Sequence, residues 1–445
     1  MKEHFLIDPS YKNLNHGSFG TYPQPIQTAL RHFQTLAEAR TDPYLRNTQP
    51  RLLASSRAAI ASLLNVPANT CVLVKNATTG VNTVLHNLPL GPTDAIVYFD
   101  TVYGAVEKAL VWLAETRGVQ LRKVEYVLPL RPEELVRRFT QTVQNARREG
   151  LTVKVGVFDT IVSNPGVRFP FEELVEACRE EGVWSLVDAA HGVGQIELDL
   201  GKLRPDFLTS NCHKWLYVPR GCAVLYVPIH NQHLIRTTLP TSWGFIPLPT
   251  STATAASTMK IADPRTAFEQ LFDFVATTDD AAYLCIPAAI KFRQEVCGGE
   301  QRIQAYLVQL ANEGADAVAA LLGTEVMQEP GLKAGEKSRL RDCALATVRL
   351  PVSVVGEGEG EEENVQTPDA IRVSPQQAAL AAQWFQTQLM DEHDTFVPVF
   401  RHGASLWTRL SAQVYLEKGD FEWLGGVLRE LCGKLEREQE EILRC

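Results

Sequence analysis

Two segments of the chain place reactive side chains directly after short apolar runs. Asp188 ends the run WSLVD, and Lys214 follows shortly after the run DFLTSN. Apolar runs of this length are typical of buried strands. The carboxyl ends of neighbouring parallel strands share one edge of a sheet, where open α/β folds bind their ligands. We therefore expect a carboxylate and an amine to meet at that edge.

An amine and a carboxylate at one site are the groups that the cofactor pyridoxal 5′-phosphate (PLP) needs. The lysine amine forms a Schiff base with the cofactor aldehyde, and a carboxylate keeps the ring nitrogen protonated. Once substrate displaces Lys214, its free amine could take the Cα proton as a general base. The segments predict a PLP enzyme with Lys214 and Asp188 as catalytic residues. The alternatives are a solvated surface lysine and an N-cap aspartate.

The segment NATTG could bind the cofactor phosphate. Ala77, Thr78 and Thr79 follow the strand-like run CVLV and begin a helical pattern. Backbone N–H groups and a hydroxyl at a helix N-terminus bind anions well. Threonine is also a common N-cap, so this segment indicates a phosphate site only in combination with the lysine.

The elements that must position these residues alternate along the first half of the chain. The strand-like runs, with helical patterns between several of them, are CVLV, AIVYFD, VKVGVFD, WSLVDAA, DFLTSN and CAVLYVP. Apolar strands separated by helices predict an α/β fold whose mostly parallel sheet is covered by helices on both faces.

The pattern changes after residue 285 and predicts a division into domains. We expect a large α/β cofactor-binding domain at 60–285 and a smaller α+β domain at 286–445. The segment 1–59 should contribute to the small domain and to the site entrance. The stretch 354–368 is acidic and rich in glycine, so we expect a solvated loop there.

Composition excludes several classes of partner. The formal net charge is −9 without a dense basic stretch, which argues against nucleic acid and anionic membranes. No apolar run is long enough to span a bilayer, and the start MKEHFLIDPS lacks the apolar region of a secretory signal. The 9 cysteines are scattered without CxxC pairs, which favours a reduced, cytoplasmic protein and no metal site.

The motifs DAAHG, SNCHKW and NATTG resemble the class-V aminotransferase group of fold type I PLP enzymes. That group includes cysteine desulfurases and isopenicillin N epimerase, and LNHGSFGTYP resembles the epimerase-like branch. PGVRFPFE, NQHLIRTTLPTS and RLSAQVYLEKGDFEW are similar to the branch of the fungal hercynylcysteine sulfoxide lyases. The similarity covers nearly the whole chain. One departure is LRKVEYVLPL (121–130), which has no cysteine where that branch carries one.

The resemblance implies roles for residues around the cofactor ring. His191 would lie near the phenolic oxygen and act in catalysis. Tyr103 would stack on the ring face as a further catalytic residue. Ser163 or Asn164 could also touch the cofactor oxygen. Ordinary packing is the alternative for His191 and Tyr103.

The resemblance also implies phosphate contacts and a dimer. Thr78, Asn211 and His213 would contact the phosphate. In this group the site lies at a two-fold interface, so we expect a homodimer in which Thr277 reaches the partner subunit's phosphate. His213 could instead be a structural histidine.

The substrate implied by the resemblance is a small amino acid. Arg409 matches the arginine that holds the substrate carboxylate, a task that suits its planar fork. Asn15 and His16 would line the substrate entrance. The alternative for Arg409 is a surface ion pair.

PLP fixes the class of chemistry but leaves the reaction open. The resemblance implies a carbon–sulfur lyase that works by β-elimination on a cysteine-derived amino acid. A biosynthetic enzyme doing decarboxylation, cyclisation or carbon–carbon coupling is an alternative, as is an aminotransferase or epimerase. A non-catalytic PLP-binding scaffold is an alternative of a different class.

Overall fold

The computed structural model describes residues 1–245, 247, 265–333, 335–355 and 371–444. Of the predicted acidic loop at 354–368, only Val354 and Val355 fall among these residues, so that prediction otherwise lies outside the described part.

A seven-stranded sheet dominates the first half of the chain. Its strands are β1 (Cys71–Val74), β2 (Asp94–Phe99), β3 (Gln120–Val124), β4 (Thr152–Asp159), β5 (Trp184–Asp188), β6 (Phe207–Asn211) and β7 (Ala223–Tyr226). They lie in the order β1-β7-β6-β5-β4-β2-β3. The pairs from β3 through β6 are parallel, whereas β7 is antiparallel to both of its neighbours. The mostly parallel α/β fold is therefore confirmed; the reversed direction of β7 was not predicted.

Helices fill the connections and cover the sheet. They are α1 (His16–Phe19), α2 (Gln24–Ala39), α3 (Thr41–Pro43), α4 (Gln49–Leu63), α5 (Ala77–Asn87), α6 (Gly104–Arg117), α7 (Pro132–Arg148), α8 (Phe171–Glu180), α9 (Leu200–Leu203), α10 (Cys212–Trp215), α11 (Ala267–Asp273), α12 (Ala281–Leu284), α13 (Ile286–Glu295), α14 (Glu300–Leu322), α15 (Pro375–His393) and α16 (Lys418–Ile442). Short 3₁₀ segments lie at Lys2–His4, Ala68–Thr70 and Ile229–Leu234, and a π-helical turn at Tyr44–Thr48.

Both faces of the large sheet are buried. Successive side chains of a strand point to opposite faces, and those of β2 divide accordingly. Ala95, Val97 and Phe99 belong to one hydrophobic cluster, and Ile96 and Tyr98 belong to another. Helices α7 and α8 contribute to the first cluster, α5 and α6 to the second. This double coverage explains why the strands read as continuous apolar runs.

A second sheet of four strands lies in the last third of the chain. Its strands are β8 (Leu345–Val354), β9 (Ile371–Val373), β10 (Val399–His402) and β11 (Ser405–Ser411), in the order β10-β11-β8-β9. β8 contains most of the apolar run ALATVRLP, while β9, β10 and β11 show no such run. The two sheets fall on either side of residue 285, but the division into domains stays a prediction.

The topology brings three strand ends together. β4, β5 and β6 are neighbours and run parallel, so their carboxyl ends share one edge of the sheet. The connection from β5 to β6 contains only the four-residue helix α9. Helix α10 begins directly after β6 and carries Lys214.

Candidate active site

The predicted lysine and aspartate meet at the shared edge of the sheet. Asp188 is the last residue of β5, and Lys214 lies in the turn of helix that follows β6. Lys214 Nζ lies 3.3 Å from Nε2 of His191. The negative charge of Asp188 is close enough to raise the pKa of Lys214. The structure therefore gathers Lys214, Asp188 and His191, as the sequence predicted.

The contacts of His191 fix its tautomer. The indole Nε1 of Trp215 donates a hydrogen bond to His191 Nδ1 at 3.2 Å. In the neutral ring the other nitrogen, Nε2, then carries the hydrogen, and burial lowers the pKa of His191 well below its usual value. The Nε2–H therefore faces Lys214 Nζ, an arrangement that favours a neutral amine because the amine must accept the bond.

The surroundings of Lys214 favour the free amine. Burial and, to a smaller extent, the nearby charge of Arg409 lower the pKa of Lys214 to about 8, against the opposing effect of Asp188 and Asp159. A buried ammonium is disfavoured because it loses its hydration. The amine can therefore react with an aldehyde or accept a proton near neutral pH.

A second buried carboxylate lies beside Asp188. Asp159 ends β4 and is in register with Asp188 across the parallel pair. The two residues are 5% and 2% exposed, and burial raises the pKa of both carboxyls. We did not single out Asp159 from the sequence, although VKVGVFD ends in an aspartate just as WSLVD does.

The predicted phosphate segment begins a helix beside β6. The Asn76 side chain caps α5 by accepting from the Thr79 N–H at 2.8 Å. Asn211 Oδ1 accepts from the Ala77 N–H at 2.9 Å, so the side chain of Asn211 holds the start of the helix near the lysine. The Thr78 hydroxyl donates to no other described residue, which leaves it available to an anion.

His213 lies between Asn211 and Lys214 and is held by the backbone. Its Nδ1 is 2.9 Å from the carbonyl oxygen of Cys222, so Nδ1 carries the hydrogen and donates. Burial lowers the pKa of His213 to about 4. The remaining nitrogen, Nε2, is thus an acceptor in the neutral ring.

Arg409 is a buried cation that no acid in the described part of the chain neutralises. It is 2% exposed and lies in β11. Its Nη1 donates to the carbonyl and hydroxyl oxygens of Ser163 at 2.9 and 3.1 Å. Its Nη2 donates to Asn15 Oδ1 at 2.8 Å and to Ser18 Oγ at 2.7 Å. The contact with Ser18 was not predicted from the sequence.

The charge of Arg409 is therefore free for a ligand. Its Nε has no hydrogen-bond partner within the described part of the chain, and burial lowers its pKa to about 10. A buried guanidinium without a carboxylate is costly. The alternative of a surface ion pair does not hold, because the side chain is buried and its partners are neutral. An anionic group of a ligand would complete this site.

His16 lies behind the lysine, which differs from the expected position at the substrate entrance. Its Nε2 bonds the backbone oxygen of Lys214 at 2.8 Å, and its Nδ1 bonds the Tyr415 hydroxyl at 3.0 Å. The ring is 1% exposed, and burial lowers its pKa to about 3. Both nitrogens are occupied by the protein, so His16 positions the lysine segment. Asn15, by contrast, contacts Arg409.

The N-terminal segment is fitted closely to that lysine segment. Gly20 has φ +65°, and a Cβ at this position would lie 2.0 Å from the backbone oxygen of His213. Only glycine allows both this conformation and this approach. The sequence motif LNHGSFG therefore packs against the backbone that carries Lys214.

Three further predicted residues are more exposed. Tyr103 is the N-cap residue of α6 and is 49% exposed. It is close enough to Arg409 to raise the pKa of that arginine. Asn164 is exposed and makes no side-chain hydrogen bond to another described residue. Thr277 is exposed in the segment after α11, and its proposed contact with a partner subunit stays a prediction.

The donor set fits PLP. The site offers a reactive amine on Lys214, a buried carboxylate on Asp188 and an available hydroxyl on Thr78 at a helix N-terminus. The orphaned guanidinium nitrogen of Arg409 adds a place for a substrate carboxylate. Among the described residues, no group of histidine, cysteine, aspartate or glutamate side chains could hold a metal ion.

A protein-family model and two known relatives match this chain. The family model for aminotransferase class-V matches residues 21–258. The chain is 40% identical to an L-cysteine desulfhydrase-like protein (lolT1) of Epichloe uncinata over 98% of this chain and 96% of that protein. It is 28% identical to the hercynylcysteine sulfoxide lyase of Schizosaccharomyces pombe, with 97% of each chain covered.

Solved structures share the fold at low sequence identity. A C-DES mutant with glycine covalently linked to its PLP cofactor has a TM-score of 0.73 at 18% identity and covers 97% of this chain and 99% of its own. A complex of the cystine C–S lyase C-DES with its product cysteine persulfide has a TM-score of 0.69, covering 95% of this chain and 98% of its own.

Proposed function

The chain belongs to the aminotransferase class-V family, and from this premise we propose that it is a PLP-dependent carbon–sulfur lyase acting on a cysteine-derived amino acid. The observation that carries the proposal is the full-length similarity to a desulfhydrase-like protein and to a sulfoxide lyase, together with an amine and an orphaned guanidinium at one site. A non-catalytic PLP-binding scaffold would use the amine to hold the cofactor but would have no use for the orphaned guanidinium.

The cofactor would be held by residues from three elements. Lys214 would bind it covalently, Asp188 would pair with its ring nitrogen, and Thr78 with the start of α5 would face its phosphate. When bound, PLP draws electron density from the substrate Cα, which makes the proton on that carbon acidic. The His191 Nε2–H points toward the same region as the lysine amine and can donate to a cofactor oxygen.

The chain's own residues then carry the proton and hold the substrate. Arg409 binds the α-carboxylate through its unpaired Nε–H and its unneutralised charge, which orients the amino acid toward the lysine. Lys214 accepts the Cα proton as a general base. Loss of the sulfur group from Cβ follows, and hydrolysis yields pyruvate and ammonia.

Within this class we propose a cysteine S-conjugate or its sulfoxide as substrate, with the hercynylcysteine sulfoxide of ergothioneine biosynthesis as the first candidate. The similarity to the Schizosaccharomyces pombe enzyme over 97% of both chains supports it. The stretch 121–130 contains no cysteine, where the sulfoxide lyase branch carries one, so the product assay below includes substrates other than the sulfoxide.

A product assay tests the proposal. The protein loaded with PLP is incubated with cysteine, an S-alkylcysteine, its sulfoxide and hercynylcysteine sulfoxide, and pyruvate and ammonia are measured. We expect pyruvate from at least one of these substrates. Absence of pyruvate from all four, with PLP bound, would overturn the lyase assignment.

A lysine substitution tests the role of the amine. Lys214→Ala should reduce turnover by at least roughly 10³-fold, since it removes both the covalent attachment and the general base. The matched control is Lys202→Ala, because the Lys202 side chain is 82% exposed and pairs with Asp199 three residues earlier. Retained activity in Lys214→Ala would contradict the mechanism.

We further propose a cytoplasmic homodimer with the site at the interface. The eight cysteines in the described part of the chain are free and buried, which suits a reducing compartment. No helix of that part has the length and apolar character needed to cross a membrane. Sedimentation of the PLP-loaded protein measures its oligomeric state. Thr277→Ala should weaken retention of the cofactor if Thr277 reaches the partner subunit.

A further inference from the structure

Asp159 has no role in the mechanism above, yet it lies beside the cofactor-pairing aspartate. The two residues end neighbouring parallel strands and are directly in register. In a parallel pair, registered side chains lie on the same face of the sheet. Both side chains are buried, and both feel the charge of Lys214.

Two desolvated carboxyls side by side do not both ionise. Like charges at close range disfavour the second ionisation strongly, so the pair titrates as a unit. The groups that face Asp159 are Asp188 on β5, Lys214 on α10 and the Tyr126 phenol after β3. Burial raises the pKa of the Tyr126 phenol, which keeps it neutral. Lys214 is therefore the one basic group among these neighbours that faces the two carboxyls.

The hydrogen bonds decide which carboxyl is ionised. The Ala190 N–H donates to Asp188 Oδ1 at 2.9 Å, and a bond of this kind stabilises the charged form. No described residue donates a hydrogen bond to the Asp159 carboxyl. Burial and the charge of Asp188 both raise the pKa of Asp159 well above its usual value.

We propose that Asp159 and Asp188 hold one proton between them, that this proton resides on Asp159, and that neutral Asp159 is a positioning residue for the Asp188 carboxylate. The protonated acid has an O–H that can donate to its neighbour, whereas the ionised form has none. The effect of Asp159 on catalysis rests on the proposed function, in which Asp188 pairs with the cofactor. The position of the proton on Asp159 is independent of that function.

Infrared difference spectroscopy on the full-length holoprotein locates the proton. Wild type near neutral pH should show the carbonyl stretch of a buried protonated carboxyl, and Asp159→Asn should remove it. The matched control is Asp206→Asn, since Asp206 is a partly buried carboxylate that accepts from Ser185 at the opposite end of the sheet. That control should retain the stretch. Its loss in Asp188→Asn with retention in Asp159→Asn would overturn the proposal.

Activity and the spectrum of the bound cofactor separate positioning from catalysis. Asp188→Asn should reduce kcat by about 10²–10³-fold because it removes the charge that faces the cofactor. Asp159→Asn, which mimics the protonated acid, should reduce kcat by at most roughly tenfold. In wild type, release of the shared proton at alkaline pH should shift the visible spectrum of the bound cofactor. Asp159→Asn should lack this alkaline transition, because an amide cannot release the proton.

The outcomes distinguish the two proposals. If no substrate yields pyruvate but the carboxyl stretch disappears in Asp159→Asn, the lyase assignment fails and the shared proton stands. If pyruvate forms but Asp159→Asn leaves both the stretch and the alkaline transition unchanged, Asp159 is only a packing residue and this inference fails.

Discussion

Two buried arginines near the lysine segment differ in whether they have an acidic partner. Arg293 of α13 is 0% exposed and donates to both carboxylate oxygens of Glu300 at 2.6 Å. It also donates to the backbone oxygens of Trp215 and Gly194 at 2.7 and 2.8 Å. Although its burial acts to lower the pKa of Arg293, the bond to Glu300 raises it. Arg409 is buried as deeply but has neutral partners and a lowered pKa.

The difference separates a structural cation from one prepared for a ligand. Arg293 is complete within the chain, and its role is to hold the backbone of Trp215 in place. Arg409 is held rigidly by Ser163, Asn15 and Ser18, yet its charge is balanced by nothing among the described residues. Burial alone therefore does not indicate function; the identity of the hydrogen-bond acceptors does.

Removal of Arg409 should produce the largest effect in this comparison. Arg409→Met should lower kcat/KM by roughly 10²–10³-fold, because truncating one partner of a buried charged contact is expensive for binding. The free energy of unfolding should change by less than about 1 kcal/mol, since the lost hydrogen bonds are offset by relief of a buried charge. Steady-state kinetics and chemical denaturation measure the two quantities.

The control for that prediction is another arginine of the same sheet. Arg401 of β10 is exposed and donates only to the Gly403 backbone, so Arg401→Met should leave kcat/KM unchanged. If Arg409→Met kept wild-type kcat/KM, the substrate carboxylate would bind elsewhere. Arg409 would then not be the ligand-binding cation that the comparison with Arg293 makes it.

Removal of the acid that pairs with Arg293 should affect stability. Glu300→Gln should lower the free energy of unfolding by about 3 kcal/mol, because it leaves a fully buried guanidinium unpaired. We place the effect at the lower end of the usual range since the Glu300 side chain is 25% exposed. Denaturant titration checks it.

Glu295→Gln is the matched control. Glu295 is 63% exposed and pairs with Lys291 at 3.9 Å, so its loss should change stability far less. Equal destabilisation by Glu295→Gln and Glu300→Gln would show that Arg293 does not depend on its acid.

The smallest effect concerns the pH dependence of cofactor capture. The pKa of Lys214 is about 8, so the rate at which the cofactor-free chain captures PLP should rise with pH and level off above that value. Below it the amine is protonated and cannot attack the aldehyde. Arg409→Met removes a neighbouring positive charge and should move the midpoint upward by up to about one pH unit.

Stopped-flow absorbance across a pH series measures this midpoint. Arg401→Met should leave it at the wild-type value, because Arg401 is not among the groups that act on Lys214. An unchanged midpoint in Arg409→Met would mean that burial alone lowers the pKa of the lysine.

The sequence predicted the site best where each residue follows an apolar strand. Lys214 and Asp188 could be placed together because parallel strands share one edge, and the structure brings them there. The same reasoning would have found Asp159 had every strand end been read in the same way. Trp215 and Ser18 could not be found, since their roles depend on contacts between segments distant in the chain.

The features that the sequence did not place correctly share one cause, which is that local patterns do not encode long-range packing. His16 was expected at the entrance, but which surface an N-terminal residue contacts depends on packing that no local pattern encodes. The antiparallel direction of β7 escaped notice because a short apolar run reads identically in either direction.

The bond from His16 to the backbone of Lys214 has a consequence for the order in which the protein matures. The two residues are 198 positions apart, and the other nitrogen of His16 bonds a hydroxyl 399 positions away. During synthesis the N-terminal segment emerges first, but its docking surface is completed last. Long-range contacts of this kind form late. The catalytic lysine should thus be fixed in place only when the chain is complete. A nascent or truncated chain can therefore have the large sheet fully formed and still be inactive.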